Sequence, residues 1–265
     1  MTVALGFRCD DGVVLCADTQ ITKEGGLKYY RKKTFKIDGG PEWSAGFTYA
    51  GNPDAMDLLM EKMCDRLSPD GIEVRENGEV MVYLKPTYAV VRRVLEDTLS
   101  EISKKHKRET DWLETLCAVS ISGQPPVFLR TKRTLVTEAE WECLGLGDSS
   151  LARYLAATFH WPQMTTGQAL LLGIYMTQQA KRYVNGCGGD TDALVLGYGG
   201  AVEEIERGQT AKMEQYLELA VGEASSLLAV MMRTELSDSE TNLLLEQITL
   251  KVRDLKAGFS SKKWL

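Results

Sequence analysis

The chain has 265 residues, 44% of them hydrophobic, and its 31 Lys and Arg against 37 Asp and Glu leave a net charge of −6. That is ample apolar material for a buried core in one large domain or two small ones, while the acidic balance excludes a sequence-independent nucleic-acid binder, which needs a basic face. Six scattered cysteines without a C-x-x-C pair, and two histidines, exclude a zinc site and a disulfide framework; no metal or cofactor is expected.

The first elements lie between Thr2 and Lys36. Two apolar runs, TVALGFR and VVLCADTQ, flank the turn Cys9-Asp10-Asp11-Gly12 and predict a β-hairpin. A basic cluster follows, Arg31-Lys32-Lys33-Thr34-Phe35-Lys36, whose last part reads as a third strand over Thr34 to Ile37. A fourth strand runs from Trp43 to Ala50. Gly51-Asn52-Pro53-Asp54 then joins a turn glycine, an N-cap candidate and a proline at the first helical position, and predicts a helix through Leu67.

Ser68 to Lys85 is polar, with Asp70-Gly71 and Asn77-Gly78, and reads as a loop or small hairpin. Pro86 opens a second helix whose apolar positions Val91, Val94, Leu95, Leu99 and Ile102 recur at helical spacing; His106 follows in an exposed tail. Strands are expected over Leu116 to Ser122, Val127 to Arg130, Leu135 to Thr137 and Cys143 to Leu146. Helices are expected over Ser149 to Phe159 and Thr165 to Val184, then a strand over Ala193 to Leu196. From residue 201 two amphipathic helices, Gln209 to Thr234 and Ser237 to Lys256, form an extension packed on the same domain or a neighbour, the second opened by the capping signal Ser237-Asp238-Ser239-Glu240. Ser260 to Leu265 reads as a mobile tail. The expected domains are therefore 1–200 and 201–265.

Chemistry enters at residue 2. Removal of Met1 would give Thr2 a hydroxyl and a free α-amine on one residue. Such an amine, with an unperturbed pKa of about 7.7 to 8.0, can serve as a base near neutral pH, and pairing with it is a recognised way to activate a threonine hydroxyl. Taken singly, Thr2, Asp18 at a strand end and Lys33 in a basic run are ordinary residues. Their order and spacing from the N-terminus carry the argument.

Laid without gaps from Thr2, TVALGFRCDDGVVLCADTQ resembles the opening hairpin of the proteasome β-subunit family and its bacterial threonine-peptidase relatives, within the N-terminal-nucleophile hydrolases. The resemblance covers roughly residues 2 to 197 and is most specific over the first 50. It implies an α+β fold, a four-layer αββα sandwich with a C-terminal helical extension, and assigns Thr2 as nucleophile and Asp18 and Lys33 as its supporting ion pair, Lys33 matching once one residue is deleted between Gln20 and Lys33, with Lys36 the competing lysine. It also implies that Gly51, in Tyr49-Ala50-Gly51, supplies an oxyanion N–H.

Four positions depart from that family, the first being Asn52, which stands where the family commonly has a second glycine. Leu146, in Gly145-Leu146-Gly147, stands where the family has a serine, and Val184 and Cys187 stand where it has an aspartate and a second serine. Gly147, Asp148 and Ser149 are the candidate supports near Leu146, and Asp190 or Asp192 near Val184 and Cys187. The implied activity is a threonine endopeptidase acting on polypeptides within a ring of like subunits, with an ATP-dependent unfoldase as a partner on which the sequence is silent. A non-catalytic structural subunit and an amidase acting on a small amide are the alternatives. Without a signal peptide or an apolar run near 18 residues, the chain is expected to be soluble and cytoplasmic, with neither membrane nor nucleic acid as partner.

Overall fold

The computed structural model describes residues 2–22, 26–67, 72–76, 79–84, 87–105, 113–132, 134–145, 150–161, 163–233 and 235–260. It is a mixed α/β chain that divides into two compact units, Met1–Arg207 and Gly208–Leu265. No described helix is long and apolar enough to cross a membrane.

The first unit is built on two five-stranded antiparallel sheets. In the first sheet β1 (Ala4–Cys9) lies between β2 (Gly12–Asp18) and β12 (Trp141–Leu144), and β2 continues to β13 (Thr191–Gly197) and β14 (Val202–Ile205). In the second, β6 (Trp43–Ala50) lies between β5 (Thr34–Asp38) and β9 (Glu114–Ile121), followed by β10 (Val127–Lys132) and β11 (Leu135–Glu138). Two small hairpins complete the strands: β3 (Gln20–Thr22) with β4 (Lys28–Tyr30), and β7 (Ile72–Glu76) with β8 (Glu79–Leu84).

Period-2 alternation gives β6 two different faces. Ala45, Phe47 and Tyr49 join a buried cluster with Met56, Leu59 and Met63 of α1 (Pro53–Arg66) and Val91, Leu95 and Ile102 of α2 (Tyr88–Lys105). Ala50, on the opposite face, joins Ala4, Val13 and Leu15 of the first sheet and Leu116, Ala118 and Phe128 of the second in a separate cluster. The two sheets thus bury apolar side chains against each other. Small residues make room there: a methyl group on Gly46 would meet Leu196 at 2.9 Å, and one on Gly6 would meet the Phe128 ring at 2.3 Å.

Helix starts follow their sequence signals. The Asn52 side chain accepts from the Asp54 and Ala55 N–H groups, and Pro53 fills the first turn of α1. Between α2 and the next long helix lies α3 (Ser150–Phe159). That helix, α4 (Thr166–Tyr183), has a capping box between Thr165 and Gln168. Asp11, in the turn between β1 and β2, accepts from the Thr166 N–H at 2.6 Å and its hydroxyl at 3.1 Å, and α4 packs on β1, β2 and β13. A methyl group on Gly173 would lie 2.7 Å from the Cys16 sulfur, so the helix sits directly on the sheet.

Helix α5 (Arg207–Met231), which belongs to the second unit from Gly208 onward, precedes α6 (Asp238–Ser260). Ser237 and Glu240 cap α6 reciprocally, with the Ser237 N–H donating to Glu240 at 3.0 Å.

Several expectations change. The strand expected over Cys143 to Leu146 is Trp141–Leu144, because its pairing with β1 begins at Phe7↔Trp141. Hairpin β3–β4 was not anticipated, its short strands lacking an apolar alternation. Strand β14, which a boundary at residue 200 assigns to the extension, pairs with β13 from Ala193↔Ile205 to Leu196↔Val202. Ser260 closes α6 instead of opening a tail; residues 261–265, like His106, lie outside the described residues.

Candidate active site

Strand register delivers the first carboxylate. Asp18 ends β2 opposite Thr191 of β13, and it exchanges backbone and side-chain bonds with the residue after Thr2: its N–H donates to the Val3 carbonyl at 3.2 Å, and the Val3 N–H donates to Oδ1 at 3.0 Å. Oδ2 accepts from the Gly188 N–H at 3.0 Å. A carboxylate with 0% exposure needs this satisfaction, since an unpaired buried charge is expensive.

The lysine arrives from the other sheet. Lys33 immediately precedes β5, is 0% exposed, and directs Nζ to Asp18 Oδ1 at 2.7 Å, the Gln20 carbonyl at 2.6 Å and Thr2 Oγ1 at 2.8 Å. These three acceptors use all three donors of an ammonium. Burial lowers the Lys33 pKa from the ordinary lysine value, and the charge and hydrogen bond of Asp18 oppose that shift, with a smaller contribution from Asp192. Lys36, the competing lysine, lies on β5 and is exposed.

Thr2, Asp18 and Lys33 are thus brought into one buried cluster, and Thr2 itself is 9% exposed. Gly145 closes the other side. It has φ of 83°, and a methyl group there would lie 2.3 Å from the Thr2 carbonyl oxygen and 2.9 Å from the Ala50 Cβ. Only a glycine tolerates both the left-handed backbone and the close approach. Gly51 follows Ala50 at the junction of β6 and α1, with φ of 112°, which places it one residue from this contact. Gly147, Asp148 and Ser149, together with Leu146, lie outside the described residues.

On the far side, the turn between α4 and β13 is tied to the strand end it supports. Lys181 donates to the Gly189 carbonyl and to the Thr191 hydroxyl, both at 3.1 Å, while Gln20 and Thr19 donate their N–H groups to the Gly188 and Asp190 carbonyls at 3.0 and 3.1 Å. Val184 ends α4, its N–H bonded to the Ala180 carbonyl. Cys187 is buried beside this turn, and burial, reinforced by the charge of Asp18, pushes its thiol up to about 12 against the opposing influence of Lys33. The thiol is therefore protonated at neutral pH and is a poor nucleophile.

Sequence reasoning missed the backbone partners, namely the Val3 and Gly188 N–H groups and the Gln20 carbonyl. Backbone groups are common to all residues and leave no signature. It left Asp192 undecided; here Asp192 Oδ2 accepts from the Lys33 N–H at 3.1 Å. Two surface cavities, of about 440 and 250 Å³, are lined by residues of the β10–β12 region and of the β1–β2 turn, and neither is lined by Thr2, Asp18 or Lys33.

No protein-family model and no curated protein matches the chain. Solved structures do. Anbu from Hyphomicrobium sp. strain MC1 matches with a TM-score of 0.69 at 17% identity, over 89% of this chain and 99% of that one. Anbu, described as an ancestral beta-subunit, from Yersinia bercovieri matches with a TM-score of 0.69 at 12% identity, over 89% and 99% of the two chains. A helical assembly of the Anbu complex from Pseudomonas aeruginosa matches with a TM-score of 0.62 at 15% identity, over 84% and 95%. These matches correct the family assignment made from sequence. The similar structures are described as Anbu proteins and not as threonine peptidases, and at such identities the likeness establishes a shared fold, not a peptidase family.

Proposed function

We propose that the chain is a hydrolase that cleaves peptide bonds through Thr2 after removal of Met1. The observation that carries this reading is the buried Lys33 ammonium, 2.8 Å from Thr2 Oγ1 and 2.7 Å from Asp18 Oδ1. A fully buried ion pair is a costly way to stabilise a fold. It is an effective way to stabilise an alkoxide.

The proposed roles divide between Lys33 and the Thr2 amine. Lys33 has every donor engaged and carries no free lone pair as an ammonium, so it cannot take the proton of Thr2. The freed α-amine of Thr2 does so, directly or through a water. As Oγ1 attacks the scissile carbonyl, the Lys33 hydrogen bond strengthens with the charge on that oxygen, and the Gly51 N–H receives the developing oxyanion, an effect commonly worth about 3 to 4 kcal/mol. Collapse of the tetrahedral intermediate breaks the C–N bond, the amine leaves with the proton, and water hydrolyses the ester left on Thr2. Gly147, Asp148 and Ser149 support the amine in this scheme.

The reading includes a four-layer αββα sandwich, consistent with helices on the outer faces of two sheets that share a core. It also includes self-assembly with like subunits around polypeptide substrates in the cytoplasm, which the similar Pseudomonas aeruginosa assembly supports.

Intact mass of freshly purified protein comes first, and a chain lighter by one methionine is expected. A β-lactone electrophile should then form an ester mapped to Thr2, absent in Thr2→Ala, and peptide substrates should be cleaved. Retained Met1, or a processed chain that neither forms the ester nor cleaves peptides and small amides, would leave a non-catalytic subunit as the correct reading.

A further inference from the structure

We infer that Asp192 is a positioning residue for Lys33, held in place by Arg207; this rests on the role given to Lys33 above. Lys33 lies just before the ladder of β5, which begins at Thr34↔Thr48, so its N–H has no strand partner. A buried N–H needs an acceptor. Asp192, on β13 of the opposite sheet and 5% exposed, supplies one at 3.1 Å.

The second oxygen of Asp192 accepts from Arg207 Nε at 3.0 Å, and another nitrogen of the same guanidinium lies 3.5 Å from Asp190 Oδ2. Arg207 therefore orients the carboxylate from the side away from Lys33. The consequence is that Lys33 is pinned at both ends. Its ammonium is held by Thr2, Asp18 and Gln20, and its backbone is anchored across the gap between the sheets. Loss of the backbone anchor lets the ammonium drift from Oγ1, and a displacement near 1 Å can cost about 100-fold in rate. The charged groups facing the ammonium are Asp18 from β2, Asp192 from β13 and, if ionised, Cys187 from the turn after α4.

The test uses the full-length, Met1-free chain with Asp192→Ala, Asp192→Asn and Arg207→Gln. One readout is the rate of β-lactone ester formation against pH; the other is the titration of the Lys33 ε-carbon by NMR in protein labelled at lysine. Asp192→Ala should lose about 10- to 100-fold in ester formation. Asp192→Asn keeps an acceptor but not the charge, so it should lose less at neutral pH while its Lys33 titration and the alkaline limb of its rate both move to lower pH. Arg207→Gln, at a half-exposed side chain, should fold normally and, with the Asp192 carboxylate no longer held from behind, lose ester formation by less than Asp192→Ala.

Unchanged Lys33 titration in Asp192→Asn, with parent-like ester formation in both Asp192→Asn and Arg207→Gln, would overturn the proposal. If Asp192→Ala does not fold, those two variants decide. If the parent chain forms no ester at all, the hydrolase reading fails, and the NMR titration still decides whether Asp192 holds Lys33.

Discussion

The two faces of β6 are buried to the same degree and built for opposite purposes. Toward α1 and α2 stand Phe47, Tyr49 and Ala45, packed among Met, Leu and Val side chains. Toward the other sheet the same strand carries Ser44, Gly46, Thr48 and Ala50, and the hydroxyls of Ser44, Thr48 and the cross-strand Thr34 have no protein hydrogen-bond partner. The helix-covered face stabilises by filling space with large apolar groups. The inter-sheet face uses small and polar residues and leads to a buried charged cluster at one end, where Ala50 and Thr2 both lie close to Gly145. Burial alone thus does not identify a core; the chemistry of what is buried distinguishes the packing face from the face that leads to the charged cluster.

Paired substitutions on the two faces test that distinction. Phe47→Ala on the helix-covered face and Asp18→Ala in the charged cluster should each cost about 3 to 5 kcal/mol in chemical denaturation, the first through a cavity, the second by leaving the Lys33 ammonium buried and uncompensated. Their reactivity should diverge. Folded Phe47→Ala should still form the Thr2 ester at close to the parent rate, and folded Asp18→Ala should not. Equal loss of reactivity in both would erase the division between the faces.

Lys33→Met should cost less stability than Asp18→Ala, about 1 to 3 kcal/mol, because the stranded carboxylate keeps the Val3 and Gly188 N–H donors. A larger loss for Lys33→Met, measured by urea unfolding, would mean that the ammonium and not the carboxylate organises the cluster. Gly145→Ala should cost about 1 to 3 kcal/mol through backbone strain at positive φ, together with displacement of Thr2; a thermal midpoint unchanged from the parent would remove Gly145 from the site.

The smallest effect expected is in pH dependence. Burial holds Lys33 below the ordinary lysine pKa, and a base with lowered proton affinity loses its charge at lower pH. The alkaline limb of ester formation should therefore fall below about pH 10.4, the value of an unperturbed lysine. A limb at or above that value would mean that the ammonium is not the group being titrated.

Much of the fold was legible because local physics decided it. The turn at Asp10-Asp11-Gly12, the Asn52-Pro53 helix start, the Thr165 and Ser237 caps and the alternation of β6 are each settled by neighbours within a few residues. Elements without such signals were not. In β14 the sequence Val202-Glu203-Glu204-Ile205 has two adjacent acidic residues and becomes a strand by pairing with β13, and β3 and β4 are short and mostly polar. The positions of Thr2, Asp18 and Lys33 could be picked out as candidates because a threonine, an aspartate and a lysine at those spacings resemble a known pattern.

What the sequence determined by itself, then, was the choice of secondary elements and the presence of three chemically suitable residues near the start of the chain. Only the tertiary structure decided that Lys33 and not Lys36 is buried, that Cys187 holds a protonated thiol beside the cluster, and that Asp192 reaches Lys33 across 159 positions of sequence. The reason is physical. A side chain's reactivity depends on which distant backbone groups satisfy it and how much water is removed from it, and neither quantity is written in the residue or its neighbours.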